Sequence, residues 1–531
     1  MAPPVGKSMS KDTEFTYIPV IVIGAGAAGI SMGCRLKSEL QFDQFRIFDR
    51  LSGIGGTWQI NKYPGIACDV PTILYSFSFK PNYVGKTLFA TGHEIVTYFH
   101  DVCQHFGIRD NIQLNSDITE IRWLEDEELW EVTVRHLVTG KGDLSASNRE
   151  KLAEREGYDS VYLHTEKFRA KIVVSAVGGI VEPREFPADT PGLEEFEGSI
   201  FHSSRWDETI DFAGKNILVL GTGASASQFV PLLTKEPYNA KSVTQVMRSA
   251  PWVHPKEKEP GGKEKFAATA PKLFTNWPIL GRIVRTMMFL VTEVEYMTLF
   301  SEYNPTRAAR NRRKLQEKYL EHMKQTVPSQ YHDILTPDYE VGCKRRLYDA
   351  YWFQSLHDEK ITLKKQPLKR LQAKSLVLGA AGGGLEDGEE ETVPADIIVL
   401  ANGFDIGNWF HPLSVVGREG RKIQDVWKER NGPQAYQGTA MDGFPNFFIL
   451  FGPNTATGHS SVILAIENMV TYSLQFIRKI LDADVELVEV KKEAEIEWTR
   501  QVQSEIQKSV FNRGGCTSWY IREGWNSTAY P

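Results

Sequence analysis

Two glycine-rich turns, each set between an apolar run and a helix-like stretch, place the tightest limit on what this chain can fold into. Gly24-Ala25-Gly26-Ala27-Ala28-Gly29 follows Val20-Ile21-Val22-Ile23 directly. Gly221-Thr222-Gly223-Ala224-Ser225-Ala226 follows Asn216-Ile217-Leu218-Val219-Leu220 in the same way. Continuous apolar runs of this length suit parallel strands buried on both faces. The glycines let the backbone approach a pyrophosphate, and the helix that starts there offers free N–H groups and a favourable dipole. The first turn should lead into a helix reaching about Ser38, then a strand Phe45–Phe48 ending at Asp49. Asp49 stands 20 residues beyond Gly29, the spacing of a carboxylate that holds ribose hydroxyls. The second turn should lead through a helix, Ala224–Leu233, to a strand Val243–Met247. There Arg248 stands 22 residues beyond Ala226, with no acid in that place. A carboxylate would repel a 2′-phosphate, whereas a guanidinium grips it in a fork, so NADPH is favoured over NADH. A tight turn in an unrelated α/β protein and a surface arginine without a ligand are the plain alternatives.

The expected fold class is therefore α/β, with two Rossmann-like dinucleotide-binding domains, the second for NADPH, and a helical insertion; the flavin motifs described below assign FAD to the first. Two further apolar strands, Lys171–Ser175 before Gly178-Gly179 and Ile397–Leu400 before Gly403, read as points where the chain leaves one domain for the other. The expected division is residues 1–178 for the first part of the FAD domain and 179–250 for the first part of the NADPH domain. Residues 251–337 form the insertion, 338–402 complete the NADPH domain and 403–531 complete the FAD domain. A chain of 531 residues is too long for one core, which agrees with several domains. Stretches Gly140–Arg155 and Gly379–Glu391 read as polar insertions or loops, and Arg307–Lys324 as a long polar helix. The apolar stretch Ile283–Phe300 carries Arg285, Glu293 and Glu295, costly in lipid, and is expected to be a helix whose greasy face packs on protein core, with association at a membrane surface as the alternative.

Net charge of −6 argues against nucleic acid as a partner. The five cysteines, Cys34, Cys68, Cys103, Cys343 and Cys516, form no C-x-x-C pair, so no metal site or dithiol centre is suggested, and a sparse odd count fits a reducing compartment. The polar start, Met1–Tyr17, has no apolar signal core, and a cytoplasmic location without a transmembrane segment is expected.

Three further motifs narrow the chemistry. Phe196-x-Gly198-x-x-x-His202-x-x-x-Trp206-Asp207 lies just before the second turn. Gly55-Gly56-Thr57-Trp58, Tyr63-Pro64-Gly65 and Asp69 form a second pattern, and Gly342-Cys343-Lys344-Arg345 a third. Together they resemble the signatures of flavin-dependent Baeyer–Villiger monooxygenases, over a span from about Val20 to Trp519. The spelling is most similar to members from fungal secondary metabolism. The resemblance implies an FAD- and NADPH-dependent enzyme that uses O2 to convert a bulky ketone to an ester or lactone, a flavin peroxide being the nucleophile. It also implies that Thr57, Trp58, Asp69, Val70 and Tyr75 contact FAD. Arg248, Lys344 and Trp519 would hold NADPH, with Lys344 on the 2′-phosphate. Arg345 would be the catalytic cation and Asp69 its partner; Arg346 offers another register, but the family keeps lysine first in the pair. His202 would serve as a hinge residue. The helix expected from Ser460 to about Leu481 would aim its N-terminus at the flavin. Asn402 departs from the threonine that many relatives carry in the Ala401–Phe404 linker. An N- or S-oxygenating flavoprotein is the nearest alternative, followed by a non-catalytic nucleotide-binding protein of the same fold; the lack of a C-x-x-C pair disfavours a disulfide reductase.

Overall fold

The computed structural model describes residues 7–8, 15–300, 304–349, 351–379, 390–456, 458–522 and 524–530. Along β1 (Val20–Ile23), Val20 and Val22 enter one core while Ile21 and Ile23 enter another. A strand buried on both faces needs apolar residues at every position, which is why the run does not alternate. The first turn leads into α1 (Ala27–Glu39) and then β2 (Phe45–Phe48). With β3 (Ile172–Ser175) these strands build a five-stranded parallel sheet in the order Phe447–Ile449, β3, β1, β2, Ile112–Gln113.

A second sheet repeats the scheme. The turn between β4 (Asn216–Leu220) and α2 (Ala224–Leu233) leads to β5 (Ser242–Val246), and β6 (Ile397–Leu400) closes the unit. The order is Ser199–His202, β6, β4, β5, Ile361–Lys364, all parallel. Ile217 and Val219 face one core and Leu218 the other, as in β1. The chain passes between the sheets twice, and the two connections run side by side. Arg184 N–H donates to Gly403 O at 3.0 Å, and Asp405 N–H to Glu182 O at 2.9 Å.

The polar stretch after Gly140 interrupts an antiparallel meander of Ser116–Leu124, Leu129–Leu137 and Tyr162–Ala170, and folds partly as a helix, Ala146–Glu156. Of the expected loop Gly379–Glu391, the ends belong to paired strands, Ser375–Gly379 and Glu390–Pro394, and residues 380–389 lie outside the described residues. The insertion holds three long helices, α3 (Lys263–Asn276), α4 (Pro278–Leu299) and α5 (Pro305–Thr326). Near the end, α6 (Val462–Leu481) packs its buried face, from Ile463 to Ile480, into the core beneath the first sheet.

Two expectations are corrected. The greasy face of α4 does not pack on core: only Gly281 and Leu299 of this helix are buried, while Ile283, Met287, Leu290, Val291, Val294 and Met297 are exposed. Its inward face carries the charges instead. Arg285 donates to Ile73 O at 2.7 Å, Glu293 meets His459 Nε2 at 3.2 Å and Glu295 meets Arg346 at 2.6 Å. Periodicity shows which residues share a face, not which face turns inward. The second correction concerns cysteine: Cys343 and Cys516, 173 residues apart, form a disulfide, and Cys34, Cys68 and Cys103 are free and buried. That pairing comes from the fold bringing two distant loops together, so sequence spacing could not disclose it.

Candidate active site

The first glycine turn is held by close backbone approach. Gly24 has φ +107°, and a Cβ there would meet Ala176 O at 2.6 Å. A Cβ at Gly29 would lie 1.8 Å from Gly24 O, so the helix and the turn are in direct contact. Gly26 caps α1, whose first turn has no acid. Buried Asp49 accepts from Ala25 N–H at 2.6 Å with one oxygen and from Leu51 N–H at 2.8 Å with the other. Burial pushes its pKa up, against those two donors. Each oxygen keeps acceptor capacity for a ribose hydroxyl while the first bond shapes the turn.

The second turn repeats the geometry. Gly221 has φ +122°, and a Cβ there would meet Ala401 O at 2.3 Å, as Gly24 meets Ala176. At the third position Ala226 is fully buried, so its methyl is accommodated. Around Gly223 a Cβ would meet nothing within 4 Å, leaving the space above the N-terminus of α2 open beside Thr222, Ala224 and Ser225. Arg248 is exposed just beyond β5. The Lys344 ammonium donates to neighbouring Ser249 Oγ at 2.8 Å and lies 4.4 Å from the Tyr339 ring centre. Burial, and then the charge of Arg248, lower the Lys344 pKa to about 8. Two cations on separate segments thus repel each other where a dianion would relieve both.

Arg345 forks onto Asp69, with Nε donating to Oδ2 at 2.9 Å and Nη2 to Oδ1 at 2.6 Å. The carboxylate raises the guanidinium pKa still further, while the Arg345 side chain stays 38% exposed to the cleft. Arg346 turns the opposite way, donating to Glu295 at 2.6 Å and to Tyr319 Oη at 3.1 Å. Consecutive arginines are therefore divided between the cleft and the insertion. The cleft beside Arg345 is open to solvent, with a cavity of about 60 Å³, and is lined also by Asp69, Val70, Tyr348, His459 and Ser460. Close by, Trp58 Nε1–H donates to Tyr75 Oη at 2.9 Å with the rings edge to face, and burial raises the Tyr75 pKa. Thr57 opens the short helix Thr57–Ile60 and is exposed.

At the start of α6, His459 Nδ1, Ser460 Oγ and Ser461 Oγ are buried without hydrogen-bond partners. Unpaired buried polar atoms are costly, and three at a helix N-terminus beside the cleft fit the polar edge of a flavin ring. Trp519 is not brought into the cleft wall. It is 37% exposed, with its ring 4.4 Å from that of Tyr520, and Tyr520 is the residue beside Arg345. His202 is buried at the domain connection. Its Nε2 bonds Gly403 O at 3.0 Å and its Nδ1 pairs with Ser204 Oγ at 2.8 Å. Burial lowers its pKa to about 4, so it is neutral in ordinary buffers.

Sequence reasoning missed Gln228, on α2. Its Oε1 accepts from Tyr63 Oη at 3.1 Å and Ala67 N–H at 3.3 Å, and its Nε2 donates to Ala67 O at 2.9 Å. This one amide fastens the segment before Asp69 to the second nucleotide unit, and no motif marks it. His459 and Tyr348 were missed for the same reason, since only the fold brings them to Arg345. The disulfide lies directly before Lys344-Arg345 and ties that loop to the segment leading to Tyr520. Among the described residues, His136, His164 and Glu166 stand together as potential metal ligands. Both ring nitrogens of His136 already have partners, Ser116 Oγ at 3.3 Å and Glu166 Oε2 at 2.7 Å.

Comparison with known proteins agrees with this geometry. Residues 18–266 match the family model described as flavin-binding monooxygenase-like. A Baeyer–Villiger monooxygenase of Pseudomonas aeruginosa is 32% identical over 99% of this chain and 90% of its own length. The FAD-binding monooxygenase ktnD of Aspergillus niger is 34% identical over 97% of this chain and 79% of its own length. Among solved structures, a steroid monooxygenase bound to NADP superposes with a TM-score of 0.74 at 24% identity, covering 97% of this chain and 95% of that one. A cyclohexanone monooxygenase from a Rhodococcus species, bound to NADP+, gives 0.73 at 24% identity, covering 97% and 94%. These likenesses establish the fold as α/β with two Rossmann-type domains. From the full-length identity to the Pseudomonas enzyme, the chain belongs to the Baeyer–Villiger monooxygenases.

Proposed function

We propose that this chain binds FAD and NADPH and uses O2 to convert a bulky, largely apolar ketone to an ester or lactone. The observation that carries the reading is the Arg345–Asp69 fork, set in a cleft against the N-terminus of α6. When bound, FAD reduced by NADPH supplies an activated, nucleophilic oxygen derived from O2. Arg345 holds a permanent positive charge at that place, because a guanidinium next to a carboxylate does not lose its proton near neutral pH. It stabilises the negative charge that develops on the ketone oxygen during attack, an effect of about 3 kcal/mol in comparable electrostatic sites. Asp69 orients the guanidinium by two hydrogen bonds and is a positioning residue.

The division of labour follows the two turns. Gly24, Gly26 and Gly29 receive the FAD pyrophosphate, and Asp49 its ribose. Thr57, Trp58, Val70 and Tyr75 line the flavin beside Asp69. Gly221 to Ala226 receive the NADPH pyrophosphate, and Arg248 and Lys344 its 2′-phosphate. Trp519, exposed beside Tyr520, is the residue assigned to the NADPH ribose. The FAD domain comprises residues 1–178 and 403–531, the NADPH domain 179–250 and 338–402, with 251–337 inserted. His202 and the paired linkers hinge the two, and Gln228 docks them. Val70, Pro71 and Leu74 give the cleft an apolar wall. Incubating the protein with FAD, NADPH and a panel of ketones tests the reading: a product heavier by one oxygen atom is expected. NADPH consumption with every ketone recovered unchanged contradicts it.

A further inference from the structure

Helix α4 is built inside out. Three of its four charged residues, Arg285, Glu293 and Glu295, face the protein, and an apolar stripe from Ile279 to Met297 faces solvent. Across α3 and α4, nine large apolar side chains are at least 45% exposed: Leu273, Trp277, Ile279, Ile283, Met287 and the four from Leu290 to Met297. On α4 they recur every three or four residues, so they form one stripe, about 27 Å long from Ile279 to Met297 at the rise of an α-helix. A continuous exposed apolar patch of this length on a water-facing helix marks a contact surface.

The charge beside the stripe selects the partner. Between residues 263 and 300 the exposed charged side chains are Lys263, Glu264, Lys265, Lys272 and Arg282, four cations and one carboxylate, in a chain of net charge −6. A second copy of the hairpin would bring the same excess of cations and too few carboxylates to pair them. Anionic headgroups pair all of them and leave the stripe to the acyl boundary. No described helix is long and apolar enough to cross a membrane, which agrees with a helix lying along the surface.

We infer that the α3–α4 hairpin is an interfacial docking surface for an anionic phospholipid bilayer. The opposite face of α4 contributes Thr292 to the wall of the cleft. A ketone dissolved in the bilayer is then delivered next to Arg345; this last link, unlike the docking, rests on the function proposed above.

Flotation of the purified full-length protein with vesicles tests the docking without any turnover. The wild type should float with phosphatidylcholine–phosphatidylserine vesicles and about tenfold less with phosphatidylcholine alone. The pair Met287→Glu and Val291→Glu should abolish flotation, and the pair Lys272→Glu and Arg282→Glu should remove the preference for phosphatidylserine. Leu163→Glu, also at an exposed apolar residue but on a different element, should float as the wild type does. Light scattering on the same samples reads the second-copy alternative. The inference is overturned if the wild type stays with the soluble fraction. It is also overturned if Met287→Glu with Val291→Glu leaves flotation intact, or if that pair turns a dimer into a monomer while wild-type flotation is absent.

Discussion

Raising the pH past 8 should weaken NADP+ binding and leave NAD+ binding unchanged. The Lys344 ammonium is lowered from 10.5 to about 8 by burial and by Arg248, with Asp338 partly opposing. A 2′-phosphate is a dianion above pH 7 and pulls the lysine pKa back toward its ordinary value. Below pH 8 the lysine is charged in free and bound protein alike, and affinity is flat. Above pH 8 the free protein has lost the proton that the complex needs, so binding takes up a proton and weakens by up to tenfold per pH unit. A full return from about 8 to 10.5 spans 2.5 units, a ceiling of about 3.4 kcal/mol at 1.36 kcal/mol per unit. Lys344 is partly accessible, and solvent screening brings the expected loss nearer half of that, about 10- to 20-fold between pH 8 and 10. Calorimetric titration of the FAD-loaded protein with NADP+ and NAD+ from pH 7 to 10 reads it directly. Lys344→Met should weaken NADP+ at pH 7 and flatten its pH dependence. Equal slopes for the two nucleotides, or a slope that survives in Lys344→Met, would refute the reasoning.

Gly24→Ala forces a methyl against Ala176 O at a φ of +107° and should destabilise the first domain, by about 1–3 kcal/mol from the backbone alone, seen as a lower melting temperature and poor FAD retention. Gly223→Ala separates space from strain, since its φ of −76° suits alanine and nothing lies within 4 Å. Its melting temperature without nucleotide should change little, within about 1 kcal/mol for a lost glycine cap, while the Kd for NADP+ rises. His202 should make the protein acid-sensitive. Its pKa is held near 4 against 6.5 when unfolded, so the stability it confers is complete above pH 6.5 and is lost progressively as pH falls to 4. The ceiling is about 3.4 kcal/mol, and chemical denaturation of His202→Gln from pH 7 to 4 should show a shallower loss than the wild type. Asp69→Ala should leave the melting temperature near the wild-type value and slow ketone oxygenation, whereas unchanged turnover would remove its positioning role.

The nucleotide-binding architecture was legible because its determinants are local. A run of four apolar residues, three glycines at fixed offsets and a residue about twenty positions on depend on backbone geometry within one βαβ unit. Strand Phe45–Phe48 and helix Ala224–Leu233 accordingly have the expected bounds. Even so, Asp49 carries a bond to Ala25 N–H that the ribose assignment did not foresee. Features set by long-range assembly were not legible. Gln228 joins α2 to a segment more than 160 residues earlier, and Cys343 meets Cys516 across 173 residues. The orientation of α4 was misread because a hydrophobic stripe carries no sign for inside or outside. Its polar face is buried against groups that only the fold assembles: the carbonyl of Ile73, His459 and Arg346.

The most direct measurement is the product ratio of Arg345→Ala, loaded with FAD and supplied with NADPH, on a ketone and on a thioether. A fixed cation that stabilises negative charge at the ketone is needed for ester formation and not for oxygen transfer to sulfur. Ester should disappear while flavin reduction by NADPH persists. Ester formed at the wild-type rate by this variant would contradict the account.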